Sequence, residues 1–398
     1  WTATMADPAD DRNGVPCPMV SRNEPAFDAD EMFEGLRDWV LTESPTVHVA
    51  GVNAMMDKAE AAMARLGATI DRQPGVDGYG DIVIATVPGK REGPGVLVLG
   101  HLDTVHMVGS LDGPLPFRRE GDRIYGPGIY DMKGGMFAAT YALAQLQRAG
   151  ETPELPVTFM FISDEEVGSP STRTRIEEVA SRHKYVLVPE PAKGETGRLV
   201  TGRYAFLRFT VHVSGKPAHA GSQLARGRSA IAEMARQIIA IEDMTDRERG
   251  VTYSVGTIQG GTFVNVVPIA CSAQVLAVAP FAEAMDEIRG RMAALKAFNP
   301  DCSVTVEPGV ERPLFEASEG TMALYEQAEA IAREIGFDPG HGPSGGGSDG
   351  NFTGALGIPT LDGMGLMGDG AHTHEEHVLY SSLVPRAKLL AGLFRTLE

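Results

Sequence analysis

The chain has 398 residues, of which 43% are hydrophobic and 22% are charged, so it is long enough to bury a large core and to form two domains. Its net charge of −18 argues against nucleic-acid binding, which needs a basic surface, and its longest apolar runs are too short to cross a bilayer. The three cysteines form no C-x-x-C pair, which argues against a zinc knuckle or a disulfide scaffold. With no secretory leader pattern, this favours a cytoplasmic location.

Helices and strands alternate through the first two hundred residues. A helix begins near Asp28, a candidate N-cap, and a second is predicted from an N-cap at Asn53 to Leu66. The other predicted elements of this part are strands at 81–87, 95–99, 156–162 and 185–188 and helices at 134–147 and 171–181. This alternation predicts an α/β domain with a largely parallel sheet.

The pattern changes after about residue 203. Strands are predicted at 206–213, 251–259, 264–278 and 302–306, with helices at 228–241 and 281–295. Their β-α-β-β-α-β order is typical of a ferredoxin-like α+β unit. Helices at 321–335 and 383–397 then return to the first pattern. We therefore predict one α/β domain, made of residues 1–202 and 314–398, interrupted by a smaller domain at 203–313.

Imidazoles and carboxylates follow three of the predicted strands of the first domain. They are His101 and Asp103 after strand 95–99, Glu165 and Glu166 after strand 156–162, and Glu190 after strand 185–188. Carboxyl ends of parallel strands face one crevice, so these side chains are expected to converge. Nitrogen and carboxylate oxygen ligands suit zinc, manganese or cobalt.

Asp131, which precedes a predicted helix, is the candidate for a carboxylate that bridges two metal ions. Asp103 lies two residues from His101 and is expected to accept the second N–H of that imidazole. Of the adjacent Glu165 and Glu166, one is expected to bind metal and the other to face the water. Each motif alone has an ordinary explanation, such as a helix N-cap at Asp131 or a solvated acidic turn. Their joint occurrence near strand ends favours a metal site.

A set of longer motifs carries a resemblance to a known family. They are GHLDTV at 100–105, YGPGIYDMKGG at 125–135, DEEVGS at 164–169, PEP at 189–191, GKPAHAG at 215–221, NVVP at 265–268, GGGSD at 345–349 and GAH at 370–372. With these motifs the chain resembles the M20 metallopeptidase family, in its glutamate carboxypeptidase-like and acetylornithine deacetylase-like branch. The resemblance extends from about residue 36 to 395.

The resemblance implies a zinc-exopeptidase-like catalytic domain with two divalent metal ions, zinc first and manganese or cobalt as alternatives. It implies that His101 and Glu190 hold one ion, that Glu166 and His372 hold the other, and that Asp131 bridges them. The motif places His372 directly after the Gly-Ala pair, and His374 is the alternative ligand.

The family's inserted domain is a dimerisation lid, which residues 203–313 resemble. The resemblance implies a homodimer in which His219 reaches the partner's site and stabilises the oxyanion. It also implies that Asn265 helps to bind a small-molecule substrate and that Glu165 is the general base.

One segment departs from the family pattern. Carboxypeptidase-like members carry Asp-x-Arg on the strand after Asn-x-x-Pro, where the arginine is expected to bind the substrate's carboxylate. Here those positions hold Leu276 and Val278. Arginine is hard to replace in bidentate carboxylate recognition, so a C-terminal glutamate substrate is not expected. Arg203 and Tyr204, at the domain junction, are candidates for binding the substrate in place of this arginine. The alternative is that Arg203 forms a salt bridge at the hinge between the domains.

Three functions follow from these residues. The first is hydrolysis of an amide or peptide-type C–N bond by metal-bound hydroxide, with Glu165 as base. The second, which the resemblance implies through family members that act on aryl amines such as nitroanthranilate, is hydrolytic deamination of an aromatic amine at the same site. The third, of another class, is a non-catalytic binding protein on the same fold.

Overall fold

Helices and strands alternate through the computed structural model, which describes residues 25–398. The α-helices in this range are α1 (Ala29–Val40), α2 (Val49–Arg65), α3 (Gly134–Arg148), α4 (Arg173–Ala180), α5 (Ala230–Glu242), α6 (Ala282–Ala293), α7 (Glu319–Ile335), α8 (Gly350–Ala355) and α9 (Leu383–Thr396). The strands in this range are β1 (Thr69–Gln73), β2 (Ile82–Val87), β3 (Val96–His101), β4 (Arg118–Glu120), β5 (Arg123–Tyr125), β6 (Val157–Ile162), β7 (Tyr185–Leu187), β8 (Leu199–Arg203), β9 (Ala205–Ser214), β10 (Thr252–Gly260), β11 (Ala270–Ala279), β12 (Ser303–Pro308), β13 (His341–Ser344), β14 (Thr360–Leu361), β15 (Gly368–Asp369) and β16 (His377–Leu379). The first 24 residues of the predicted catalytic domain lie outside the described residues. Of the helices described, none has the length and apolar character needed to span a membrane.

A six-stranded sheet in the order β1-β2-β6-β3-β7-β14 lies at the centre of the larger part of the molecule. Strands β6, β3, β7 and β14 run parallel, while β1 and β2 are antiparallel at one edge. Strand β3 is buried on both faces: Val96 and Val98 pack into the core under α1, α3 and α9, and Leu97 and Leu99 pack into the core under α4. This explains its unbroken run of valine and leucine, and it confirms the predicted α/β fold.

Residues 205–308, which we call the insert, form a separate antiparallel sheet in the order β10-β11-β9-β12. Helices α5 and α6 cover one face of this sheet, where the alternate residues Leu207, Phe209 and Val211 of β9 are buried. The element order is the predicted β-α-β-β-α-β. The strand predicted at 264–278 begins only at Ala270, because Pro268 has no N–H to donate to a ladder.

Two predicted N-caps have different outcomes. Asp28 caps α1, since its Oδ1 accepts the N–H groups of Asp30 and Glu31 at 2.9 and 2.8 Å. The cap at Asn53 is wrong, because α2 begins at Val49. The Asn53 side chain instead accepts the N–H of Asp81 at 2.7 Å and so ties α2 to the start of β2.

The chain enters and leaves the insert through two segments that pair with each other. Arg203 and Phe315 exchange two main-chain hydrogen bonds of 2.8 and 3.0 Å, and Phe206 and Arg312 exchange two of 3.0 and 2.9 Å. The two crossings therefore form a short ladder beside the carboxyl end of the central sheet.

Candidate functional site

Three neighbouring parallel strands bring the predicted polar residues together. His101 is the last residue of β3, Glu165 and Glu166 form a single helical turn after β6, and Glu190 follows β7. Because β6, β3 and β7 are adjacent and parallel, their carboxyl ends meet at one edge of the sheet. Glu190 is 4% exposed and His101 is completely buried, so these groups are held largely away from water.

Asp131 lies between two imidazoles and is the centre of the cluster. Its Oδ1 is 3.2 Å from Nε2 of His101, and its Oδ2 is 3.4 Å from Nε2 of His372. A glutamate accompanies each imidazole: Glu190 Oε1 lies 3.7 Å from His101 Nε2, and Glu166 Oε2 lies 3.1 Å from His372 Nε2. The arrangement consists of two imidazole–carboxylate pairs that share one aspartate.

His372, and not His374, reaches this cluster. Its backbone has a φ of 64°, in the left-handed region, directly after Gly370 and Ala371. A non-glycine residue in this region is uncommon, and such residues often lie at functional sites. His374 is exposed, and within residues 25–398 the ion pairs of Asp131 and Glu166 with an imidazole involve His101 and His372 but not His374. The ligand atoms of His101, Asp131 and Glu166 lie within 4.8 Å of one another, close enough to hold a cation together.

The charges of this cluster are strongly coupled. Burial raises the pKa of Glu166 to about 7. Hydrogen bonds to Asp131 and Glu166 raise the pKa of His372 to about 10. Burial works against the charge of His101, but Asp103 and Asp131 hold its pKa well above the usual range. Several carboxylates so close together need protons or cations between them. The nitrogen and oxygen donors and their crowding therefore fit divalent metal ions.

Asp103 supports the cluster differently from the expectation. The nearest acceptor for Nδ1 of His101 is the main-chain oxygen of Asp103 at 2.9 Å, while the Asp103 carboxylate is 3.5 Å away. That carboxylate accepts the Thr46 hydroxyl at 2.7 Å and the N–H groups of Glu165 and Glu166 at 3.3 Å each. Its main contacts therefore fix the turn that carries both glutamates.

Glu165 is paired with an arginine that no sequence motif indicated. Nη2 of Arg312 lies 2.7 Å from Oε1 of Glu165 and also donates to the main-chain oxygen of Glu165 at 2.9 Å. Nη1 of Arg312 lies 3.1 Å from Oδ1 of Asp349. The other carboxylate oxygen of Glu165 is 4.0 Å from Nε2 of His101. Arg312 thus holds one oxygen of Glu165 and leaves the second beside the cluster.

A second unexpected residue, Glu376, shapes the loop of Asp131. Its carboxylate accepts the N–H groups of Gly128, Tyr130 and Asp131 at 3.1, 2.8 and 3.0 Å. Its Oε2 also lies 2.5 Å from Nε2 of His106. The only sequence signal for Glu376 is its place in the polar run HTHEEH at 372–377, which does not distinguish it from its neighbours.

Arg203 and Tyr204 form part of the junction between the insert and the rest of the molecule. Arg203 is 1% exposed, and its Nε and Nη2 donate to Asp362 at 2.9 and 2.5 Å. Its Nη1 donates to the main-chain oxygen of Gly346 at 2.9 Å. Tyr204 contributes main-chain hydrogen bonds to Ser344 and Asn351. Arg203 therefore forms the expected salt bridge at the junction, and it also lines the cleft over the cluster, with its Nη2 3.8 Å from Oε2 of Glu190.

His219 and Asn265 lie together in the insert, away from the cluster of their own chain. His219 is exposed, and its Nδ1 accepts the N–H groups of Gly221 and Ser222 at 3.2 Å each. The main-chain oxygen of Asn265 accepts the N–H of Ala220 at 2.9 Å. Within residues 25–398, neither side chain lines the cleft of about 280 Å³ that opens over the cluster.

Comparisons with known proteins agree with this geometry. The model of peptidase family M20/M25/M40 matches residues 97–396. Carboxypeptidase G2 of Pseudomonas sp. (strain RS-16) is 30% identical over 369 residues, which are 91% of this chain and 88% of that protein.

Solved structures show the same fold. The aminopeptidase PepT of Bacillus cereus ATCC 10987 superposes with a TM-score of 0.75 at 24% identity, over 92% of this chain and 98% of that one. An M20 family metallo-carboxypeptidase of Sulfolobus solfataricus superposes with a TM-score of 0.71 at 18% identity, over 92% and 99%. The chain therefore belongs to peptidase family M20/M25/M40, and it is a metal-dependent hydrolase.

Proposed function

We propose that the protein hydrolyses the amide or peptide-type C–N bond of a small substrate. The observation that carries this proposal is Asp131, whose two oxygens lie 3.2 and 3.4 Å from two imidazoles that each have a glutamate partner. The similarity to a carboxypeptidase supports the same bond type.

The five residues of the cluster would hold two divalent ions, with zinc the first expectation and manganese or cobalt the alternatives. His101 and Glu190 would bind one ion, Glu166 and His372 the other, and Asp131 both. When bound, such a pair polarises the substrate carbonyl and lowers the pKa of a water molecule.

Glu165 supplies the proton transfer in this proposal. Its free oxygen takes the proton of the attacking water and returns it to the leaving nitrogen. Arg312, 2.7 Å from the other oxygen, prevents the carboxylate from rotating away. Asp103 holds the main chain of the same turn through the N–H of Glu165 at 3.3 Å.

A homodimer through the insert would complete the site. Strand β10 is an edge strand, and its Ile258 is 51% exposed. In the turn that follows, Phe263 is 72% exposed and Val264 is 102% exposed. Exposed apolar groups beside an unpaired strand edge are a frequent association surface. A second copy docked there would bring its own His219 and Asn265 to the cleft, where an imidazole can stabilise the oxyanion.

Deamination of an aromatic amine is the second candidate. It is favoured by Leu276 and Val278, two apolar side chains on the face of β11 away from the core of the insert. Release of ammonia instead of an amino acid or amine fragment distinguishes the two reactions.

The test is a substrate screen with metal-loaded protein and with the same protein after chelation. N-acyl amino acids, dipeptides, amidated amino acids and aryl amines should be assayed for both products. Amide cleavage that chelation abolishes supports the proposal. Turnover that persists after complete metal removal, or ammonia release from aryl amines alone, contradicts it.

A further inference from the structure

Arg208 stands on the surface of the insert that faces the catalytic cluster. It lies on β9, whose odd-numbered residues, such as Leu207 and Phe209, enter the core of the insert. Arg208 therefore points to the opposite side of the sheet, as successive side chains of a strand do. In the register of the sheet its neighbour across the strands is Leu276 of β11.

The guanidinium of Arg208 is shielded but has an unused donor. Its Nη1 is buried and has no hydrogen-bond partner within the described part of the chain. A buried cationic donor without a partner is costly, so such groups are normally paired. Burial, and then the positive charge of Arg312, lower the pKa of Arg208, and the negative charge of Glu165 opposes them only in part, so a further anion beside Arg208 would stabilise its charged form.

The position of Arg208 joins two clefts. The first, of about 280 Å³, is lined by Glu165 and by four residues of the metal cluster, Asp131, Glu166, Glu190 and His372. The second, of about 430 Å³, is lined by apolar groups such as Val167, Leu276 and Val310, with a few polar side chains. Arg208 and Gly168 line both. A Cβ placed on Gly168 would lie 3.5 Å from Nη1 of Arg208, so the guanidinium sits directly beside the turn that carries the glutamates.

The other buried arginines of this region are already engaged. Arg312 is bound to Glu165 and Asp349, and Arg203 is bound to Asp362. Both therefore serve the protein's own carboxylates. Arg208 is different because, within residues 25–398, its buried Nη1 has no hydrogen-bond partner, while its side chain lines the cleft over the cluster.

We propose that Arg208 binds a carboxylate on the leaving-amine side of the substrate, and that the 430 Å³ cleft takes the side chain next to that carboxylate. This rests on the proposed amide hydrolysis and narrows it to acylated amino acids or dipeptides with a free carboxylate. Arg208 is then the residue that determines specificity for acidic over neutral substrates.

The decisive test compares N-benzoyl amino acids with their carboxamides as substrates of metal-loaded wild-type protein, Arg208→Met and Arg208→Lys. For Arg208→Met, kcat/KM should fall about 100-fold or more for the carboxylates and stay within about 3-fold for the carboxamides. Arg208→Lys should recover part of the loss, since the charge remains but the bidentate geometry does not. The control Arg247→Met removes an exposed arginine of the same insert and should change kcat/KM neither for the carboxylates nor for the carboxamides.

Equal losses of kcat/KM for carboxylates and carboxamides would show a structural role for Arg208 and overturn the proposal. An unchanged preference of Arg208→Met for carboxylates over carboxamides would overturn it as well. A binding measurement separates this outcome from failure of the proposed reaction. Calorimetry on metal-loaded Glu165→Gln should show tighter binding of N-benzoylglycine than of N-benzoylglycinamide, and Arg208→Met in that background should remove the difference. If the wild-type protein cleaves neither compound but this preference depends on Arg208, the proposed reaction fails while the carboxylate site stands. No preference in binding overturns the carboxylate site.

The second cleft is tested by Leu276→Trp, which fills space beside Arg208. Among N-benzoyl amino acids this variant should lose kcat/KM for phenylalanine and leucine derivatives and keep it for glycine and alanine derivatives. An unchanged order of side-chain preference would place the substrate side chain elsewhere.

Discussion

Nη2 of Arg312 lies 2.7 Å from Oε1 of Glu165, although Arg312 belongs to the segment that leaves the insert and Glu165 to the end of a central strand. The same Nη2 donates to the main-chain oxygen of Glu165 at 2.9 Å. The orientation of the proposed base is therefore set by both parts of the molecule at once.

Replacement of Glu165 by Gln should leave the metal cluster intact and remove the proton acceptor. We expect unchanged metal content and a fall in kcat of about 10²–10⁴-fold, the range typical of a general base. Metal analysis and steady-state kinetics on the same preparation measure both. Loss of metal together with activity would make Glu165 a ligand, and unchanged turnover would exclude it as the base.

Arg312→Met should impair both turnover and folding. Glu165 loses the group that fixes its orientation, so kcat should fall. Asp349 loses its buried partner, which should cost about 3–5 kcal/mol in the free energy of unfolding. Denaturant unfolding of Arg312→Met, Asp349→Asn and the double variant measures the coupling. We expect the double variant to be more stable than Arg312→Met, because the unpaired buried charge is gone. Strictly additive effects would contradict the pairing.

Glu376→Ala should weaken metal binding although Glu376 is outside the set of ligands. Three N–H groups of the Asp131 loop lose their acceptor, so the bridging carboxylate loses its fixed position. A loss of about 10–100-fold in metal affinity is typical when such a supporting contact is removed. Competition with a chromophoric chelator measures it. The exposed neighbour Glu375 supplies the control, since Glu375→Ala should retain the wild-type affinity.

Metal affinity should rise with pH. Burial raises the pKa of Glu166 to about 7, and hydrogen bonds to Asp131 and Glu166 raise that of His372 to about 10. Both groups must lose their protons to bind a cation, so protons compete below these values and affinity increases as the pH passes from 7 towards 10. Chelator competition across this range, corrected for chelator protonation, gives the slope. His372→Ala should flatten it, whereas the exposed His374→Ala should not.

Mixing two inactive variants tests the dimer and the role of His219 together. In a mixed dimer of His219→Ala and Glu165→Gln, one site combines an intact Glu165 with His219 of the other copy. Random exchange of equal amounts should restore about a quarter of wild-type activity, because half of the dimers are mixed and each has one complete site. If mixed dimers form, as shown by differently tagged chains, and activity stays absent, His219 does not act across the dimer.

The sequence was enough to predict that the residues at the strand ends lie together, but it gave little sign of the residues that hold them in position. His101, Glu165 and Glu190 could be placed because each follows a short run of buried strand residues, and parallel strands bring their ends together. Arg312, Glu376 and Arg208 have no such signal. Their partners are distant in the chain, and a single arginine or glutamate in a loop or strand looks like a solvated surface group until the tertiary contacts are known.

Two further differences have the same origin. The Asn53 side chain fits the N-cap preference, yet tertiary contact with Asp81 decides its role. The sequence places Arg203 at the domain junction, but its partner Asp362 lies on a segment that pairs with β8 only in the folded chain. Local propensity is enough to predict most helices and strands. The partners of their side chains depend on contacts between residues that are distant in the sequence.

The paired crossings into and out of the insert limit how chains of this kind can be recombined. Because Arg203 and Phe315 are hydrogen-bonded neighbours, the insert can be exchanged between relatives without spreading the two cut ends. A chimera joined after Pro308 keeps the native Arg312 against Glu165, whereas one joined after Pro313 takes whatever residue the donor has there. A few residues in the choice of the fusion point should therefore decide whether a hybrid enzyme retains a correctly oriented base.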